Sequence, residues 1–250
     1  MLLNILSNAL VLAAELAGIG GLAWLAWSYP LMFAVATALL ALILGMLLEY
    51  SRLENEYTYY FGRALGARSM IAMTYAAGEA SVKGLLAGLA ALLTFSGTNQ
   101  ERLWYVALAF ALTVFAGTSI LRFLTRRLGA KPERWGYFRL AAVLGLIFSG
   151  GLTALAYFGL IENPSLADLV RTAMWDTAAR PPVGEASELL FKLKQYLDSA
   201  IASFIAIWFG EDGARLLSVV LSVNMLTGFV AAIYAVIISS IVRRLDAWLP

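Results

Sequence analysis

The sequence predicts an all-α, polytopic membrane protein of about six transmembrane helices plus one re-entrant, pore-like half-helix. Three observations lead there. Apolar residues fill 61% of the 250 positions and charged residues only 14%, against roughly a quarter charged in soluble domains. The apolar residues fall in runs of about 20, the length at which a helix rising about 1.5 Å per residue covers the ~30 Å hydrocarbon core. About six such spans with short connections consume the chain and leave no room for a soluble domain of usual size.

The first span covers about Ala9 to Trp27 and the second about Leu31 to Glu49, with only Ser28-Tyr29-Pro30 between them. Proline ends a helix at the residue before it, and Trp24, Trp27 and Tyr29 suit a membrane interface, so a tight helical hairpin is expected. One kinked helix of about forty residues would overshoot the bilayer. Tyr50 to Arg68 mixes Arg52, Arg63 and Arg68 with Glu54, Glu56 and several tyrosines, and reads as an interfacial segment. The third span, about Met70 to Phe95, is rich in small residues, and Gly84-x-x-x-Gly88 permits close helix approach. The fourth, about Leu103 to Leu124, ends in a basic loop holding Arg126, Arg127, Lys131, Arg134 and Arg139. The fifth, about Leu140 to Ile161, leads into a polar segment from Glu162 to Gly184, where a short helix is expected over Ser165 to Trp175. From Glu185 a half-polar helix runs to the irregular stretch Trp208-Phe209-Gly210-Glu211-Asp212-Gly213, and the last span follows, about Ala214 to Val242.

Orientation follows from where lysine and arginine lie, since basic residues near short loops stay on the cytoplasmic side. With both termini inside, Arg52, Arg63, Arg68, Arg122, Arg126, Arg127, Lys131, Arg134, Arg139, Arg243 and Arg244 are cytoplasmic. Arg102, Arg171, Arg180, Lys192, Lys194 and Arg215 then lie outside. Counting the half-helix as a full span would weaken this bias, so six spans are preferred. The first span lacks the flanks of a cleaved secretory signal and is expected to be retained.

Histidine and cysteine are both absent. That removes most metal-ligand sets, thiol nucleophiles and any Ser-His or Cys-His pair, so neither an enzyme nor a metal or other cofactor is expected. A net charge of +2 gives no reason to expect a nucleic-acid partner.

Only a few ionisable groups fall inside the spans. Glu79 and Lys83 are one turn apart on the third span and share a face. Charges at that depth face a bundle interior or a wet cavity, so the pair reads either as a proton or ion relay or as a neutralised pair that sets helix packing, with Glu15 a possible third member. Arg122, Arg126 and Arg127 do not form a voltage sensor, because Trp104 to Ile120 contains no basic residue. Asn224, Thr227 and Gly228 on the last span line a wet pathway or mediate packing. Glu211 and Asp212 read either as an acidic ring around a pore mouth or as an exposed turn before a helix.

The stretch from Tyr196 and Ser199 through Phe209-Gly210-Glu211-Asp212 to Gly228-Phe229 and Arg243-Arg244 resembles the pore module of prokaryotic potassium-channel-type cation channels: outer helix, pore helix, filter, inner helix. The resemblance covers the last quarter to two-fifths of the chain. It implies a four-helix scaffold over residues 1–138 and a channel-like pore module over 139–250. It further implies a homo-oligomer, tetrameric by family, in a prokaryotic inner membrane, with Ile207, Trp208, Phe209, Gly210, Glu211 and Asp212 at the filter and Asn224, Thr227 and Gly228 lining the pore. The departures lie at the filter entry. Trp208 stands where the family has its first filter glycine, and Phe204-Ile205-Ala206-Ile207 replaces the threonine-rich entry. A stacked carbonyl cage needs glycine there, so permeation of monovalent cations without strict potassium selectivity is expected. A non-conducting scaffold subunit and a secondary transporter built on Glu79 and Lys83 are the alternatives.

Overall fold

The computed structural model describes residues 2–62, 70–96, 99–161 and 224–248, together with isolated positions between Leu193 and Gly210. The described residues are helical and contain no strand. Helices α1 (Leu2–Ser28), α2 (Pro30–Phe61), α3 (Met70–Thr94) and α4 (Gln100–Leu128) come first. A short α5 (Pro132–Trp135) runs through a π-helical turn (Gly136–Leu140) into α6 (Ala141–Tyr157), and α7 (Asn224–Trp248) closes the order. Six of these segments are long and apolar enough to cross a membrane: Asn8–Ser28, Pro30–Glu56, Ala72–Thr94, Gln100–Leu128, Pro132–Leu155 and Asn224–Leu245. The protein is therefore an all-α, multi-pass membrane protein.

Local chemistry sets the ends. The Asn99 side chain accepts from the Arg102 amide at 3.1 Å and caps α4, and Gly129 closes it in the left-handed conformation, φ 61°. Pro30 opens α2, where a missing amide proton costs nothing. Tyr29 is at once the last hydrogen-bonded residue of α1, its amide donating to the Leu25 carbonyl, and the first acceptor of α2, from the Phe33 amide. The expected hairpin is present, but its arms splay: α1 packs mainly on α4 and α7, and α2 on α3. The first part of the segment Tyr50 to Arg68 is a helical continuation of α2, which runs to Phe61. No proline or glycine interrupts that stretch.

The helices alternate in direction. Glu15 meets Arg122 at one end of the α1–α4 pair and Trp27 meets Trp104 at the other. Gly88 lies on Ala38 and Gly45 on Ala80 along α2–α3. Glu133 meets Ser240, and Gly145 meets Met225, along the α5–α6 and α7 pair. The beginning of α1 and the end of α7 consequently share one face of the bundle, here the terminal face. The end of α6 and the start of α7 both lie at the opposite face.

Small residues allow the close crossings. A Cβ on Gly228 would collide with the Gly145 amide and the Ala141 carbonyl, and one on Gly145 would lie 2.7 Å from the Met225 carbonyl, so α6 and α7 touch backbone to backbone. An aromatic cluster of Phe33, Phe95, Phe110, Phe148 and Tyr234 joins α2, α4, α6, α7 and the residue just after α3, with centroids 5.2 Å apart for Phe33–Phe95 and 5.5 Å for Phe95–Phe110. α7 is the central helix. Val230 to Val236, two consecutive turns, are each at most 3% exposed, so the chain's own helices enclose this stretch on every side.

Candidate functional site

Charges concentrate where α2 crosses α3. Along α2, Ala34, Ala38, Ala41, Gly45, Glu49 and Arg52 recur at three- and four-residue intervals and form one stripe. Along α3 the facing stripe contains Ala80, Gly84 and Gly88, flanked by Glu79 and Lys83. The small residues bring the backbones together, and the long side chains meet just beyond them. Lys83 is the middle residue of the span Ala72–Thr94. Its ammonium donates to Glu49 across the helix pair and to Glu79, one turn back on its own helix, at 3.1 Å. Arg52 reaches Glu49 at 3.1 Å, Glu79 at 2.9 Å and Glu56 at 3.2 Å.

Glu49 is 0% exposed, whereas Arg52, Lys83 and Glu79 are partly accessible. Two carboxylates, Glu49 and Glu79, thus share two cations in a closed square, with Glu56 at its outer rim. Burial of an unpaired carboxylate in hydrocarbon is prohibitive; this arrangement gives each of the four charges of the square at least two opposite neighbours.

The π-helical turn supplies a roof. Tyr137 and Phe138, adjacent in sequence, both face the cluster: the Lys83 ammonium lies 5.6 Å from each ring centroid, and Arg52 lies 5.7 Å from that of Phe138. A π-helical turn carries one residue more than an α-turn, which lets two consecutive aromatic rings approach one cation. The Tyr137 hydroxyl is buried with no hydrogen-bond partner among the described residues. Arg134 donates to Ser51 at 2.7 Å and holds α5 against α2 beside this roof.

A second ionic site lies toward the terminal face. Glu15, 1% exposed, pairs with Arg122 beside a cavity between α1, α4, α5 and α7. Glu15 is therefore not a third member of the Glu79–Lys83 group. α1 splays from α2 at Tyr29 and carries Glu15 to α4 instead.

Among the other residues singled out from the sequence, Thr227 is fully buried and hydrogen-bonds Thr94 at 2.6 Å, and Gly228 sits in the α6–α7 contact. Asn224 is half-buried at the start of α7. Ile207 and Trp208 are helical and exposed, at 79% and 72%, and Gly210 has φ 72°, a conformation at which helices end. Phe209, Glu211, Asp212 and the expected helix over Ser165 to Trp175 lie outside the described residues.

Sequence reasoning found Glu79 and Lys83 but missed Glu49, Arg52, Tyr137 and Phe138. The stripe on α2 was the available signal for the first two. None exists for the aromatic pair, since the π-helical turn is not written in any local motif. Comparison with protein-family models, with curated proteins and with solved structures returns no match for this chain.

Proposed function

We propose that this chain is a transporter of protons or monovalent cations, with the carboxylates of Glu49 and Glu79 as its exchange site and Lys83 as a tethered competing cation. The observation that carries this reading is the fully buried Glu49 bridged by an ammonium group at the centre of a span. In the resting arrangement Lys83 satisfies both carboxylates. When its flexible stem swings away, one negative charge is uncovered, and a proton or cation takes the vacated place. Return of Lys83 expels it. Counted over the two carboxylates and Arg52, the charge is neutral again once a proton or monovalent cation replaces Lys83, and the displaced ammonium is hydrated at the accessible side of the site, where Lys83 is 28% exposed. Arg52 stays paired with both carboxylates and keeps α2 and α3 in register.

The test is reconstitution of the full chain in liposomes, with a pH-sensitive dye and a potassium- or sodium-sensitive dye as readouts. Wild-type protein is expected to dissipate an imposed gradient, and Glu49→Gln to lose that flux at least about tenfold, a difference of about 1.4 kcal/mol in barrier. Glu15→Gln should retain it. Lys83→Gln should lose flux and gain thermal stabilisation by the transported cation, which no longer meets a competitor. Wild-type vesicles as tight as protein-free vesicles would remove the proposal.

A second reading, a non-conducting scaffold subunit of a larger membrane complex, draws support from the enclosure of Val230 to Val236. A homo-oligomeric pore lined by α7 needs one free stripe on that helix, and this stretch has none. A pore reading then rests on Ile207 to Asp212 alone. Absence of flux together with a stoichiometric partner in detergent extracts would favour the scaffold.

A further inference from the structure

We propose that the cavity at the terminal face binds the phosphate headgroup of an anionic phospholipid. The cavity has a volume of about 330 Å³ and lies between α1, α4, α5 and α7. Arg122, Arg126 and Arg243 line it together with a single acid, Glu15. Three cations against one carboxylate leave an excess of two positive charges, the complement of a phosphate. Arg122 is engaged by Glu15. Arg126 and Arg243 are exposed and have no ion-pair partner among the described residues. Arginine forks match phosphate oxygens two at a time.

The polar lining fits the same group. Ser239 Oγ is buried without a hydrogen-bond partner among the described residues, and Thr125 lies beside it on the cavity wall. The Ser239 hydroxyl can donate to a phosphate oxygen, whereas Thr125 already gives its proton to the Leu121 carbonyl at 2.8 Å. Glu15 Oε1 is also unpartnered and accepts from a headgroup hydroxyl or ammonium.

Position selects a lipid over a soluble phosphate. The lining includes Asn8, the first residue of the first span, and Arg126, near the end of the fourth, which is headgroup depth. Val11, Leu12 and Val242 supply an apolar wall, and Leu12 and Leu16 carry it outward along the exposed side of α1, where an acyl chain can lie. Basic pockets between transmembrane helices at a membrane face are the recurrent form of anionic-lipid sites.

The experiment uses the purified full chain in phosphatidylcholine nanodiscs with and without phosphatidylglycerol. The readouts are thermal stability and the lipid retained after extraction, measured by native mass spectrometry. Phosphatidylglycerol is expected to be retained over phosphatidylcholine and to raise the melting temperature. The variant Arg126→Ala/Arg243→Ala, altered only at exposed side chains, is expected to lose the preference about tenfold. Arg127→Ala, a neighbouring arginine outside the cavity lining, should keep it. Equal retention of the two lipids, or an unchanged preference in the double variant, overturns the proposal. An equal loss in Arg127→Ala assigns the effect to general surface charge and overturns it too. A parallel arm in detergent with inorganic phosphate alone tests the other source: stabilisation matching that by phosphatidylglycerol would make the occupant a soluble phosphate, not a lipid.

Discussion

The two ionic sites solve the same problem differently. At the α2–α3 crossing, Glu49 is sealed by Lys83 and Arg52, roofed by the rings of Tyr137 and Phe138, and flanked by glycine and alanine faces. At the α1–α4 crossing, Glu15 has one cation, Arg122, and beside the pair a cavity. The difference lies in what surrounds the carboxylate. Two partly accessible cations shared by two carboxylates at a closely packed crossing make a site whose charges depend on one another. One cation beside an open space leaves room for water or a ligand to take over when a partner is lost.

The largest test of that contrast is truncation. Glu49→Ala leaves the partly exposed Lys83 and Arg52 with Glu79 as their remaining shared acid, and should destabilise the protein by about 3 kcal/mol, two charge-assisted contacts being lost at about 1.5 kcal/mol or more each. Glu15→Ala should cost only about 1–3 kcal/mol, because Arg122 retains access to the cavity. Unfolding in mixed detergent micelles measures both, and equal losses would erase the distinction. Charge reversal comes next. The exchange Glu15→Arg/Arg122→Glu should hold stability within about 1 kcal/mol of the native pair, since the two charges trade places beside an open cavity. Glu49→Lys/Lys83→Glu should fail by about as much as Glu49→Ala, because the new lysine faces Arg52 and the new glutamate faces Glu79.

Packing separates the two regions again at smaller scale. A Cβ on Gly45 would lie 2.9 Å from both the Ala80 Cβ and the Tyr137 hydroxyl, whereas one on Gly18 of α1 meets nothing within 4 Å. Gly45→Ala should therefore cost about 1–3 kcal/mol, and Gly18→Ala should be neutral or slightly stabilising. The smallest effect is expected at Tyr137→Phe. Deleting a buried hydroxyl with no partner among the described residues should raise stability by up to about 1 kcal/mol; a loss instead would reveal a hydrogen bond made by that hydroxyl.

Much of the bundle was legible from sequence because it depends on short-range quantities. Run lengths mark the spans and Pro30 marks the corner. The stripe of Gly84 and Gly88 announces a close neighbour, and Glu79 with Lys83 announces an ion pair on one face of α3. The identity of the neighbours was not legible. Thr94 with Thr227 at 2.6 Å, and Thr37 with Tyr234 at 2.8 Å, join residues far apart in the chain. In the second contact Thr37 already donates to the Phe33 carbonyl, so the Tyr234 hydroxyl supplies the proton. Neither partner could be named from one sequence.

By itself the sequence determined that this is a helical membrane protein without histidine or thiol chemistry, and Gly84 with Gly88 marked the face of α3 that would be crowded. Hydropathy and a 3.6-residue period are properties of a single helix, read wherever that helix ends up. Only the tertiary structure decided that Glu15 goes to Arg122 while Glu49 joins Glu79 and Lys83, and that α7 is enclosed at the centre of the bundle. Those outcomes depend on the splay of α1 from α2 at Tyr29 and on the register of α2 against α3, both set by how all the helices fill space together.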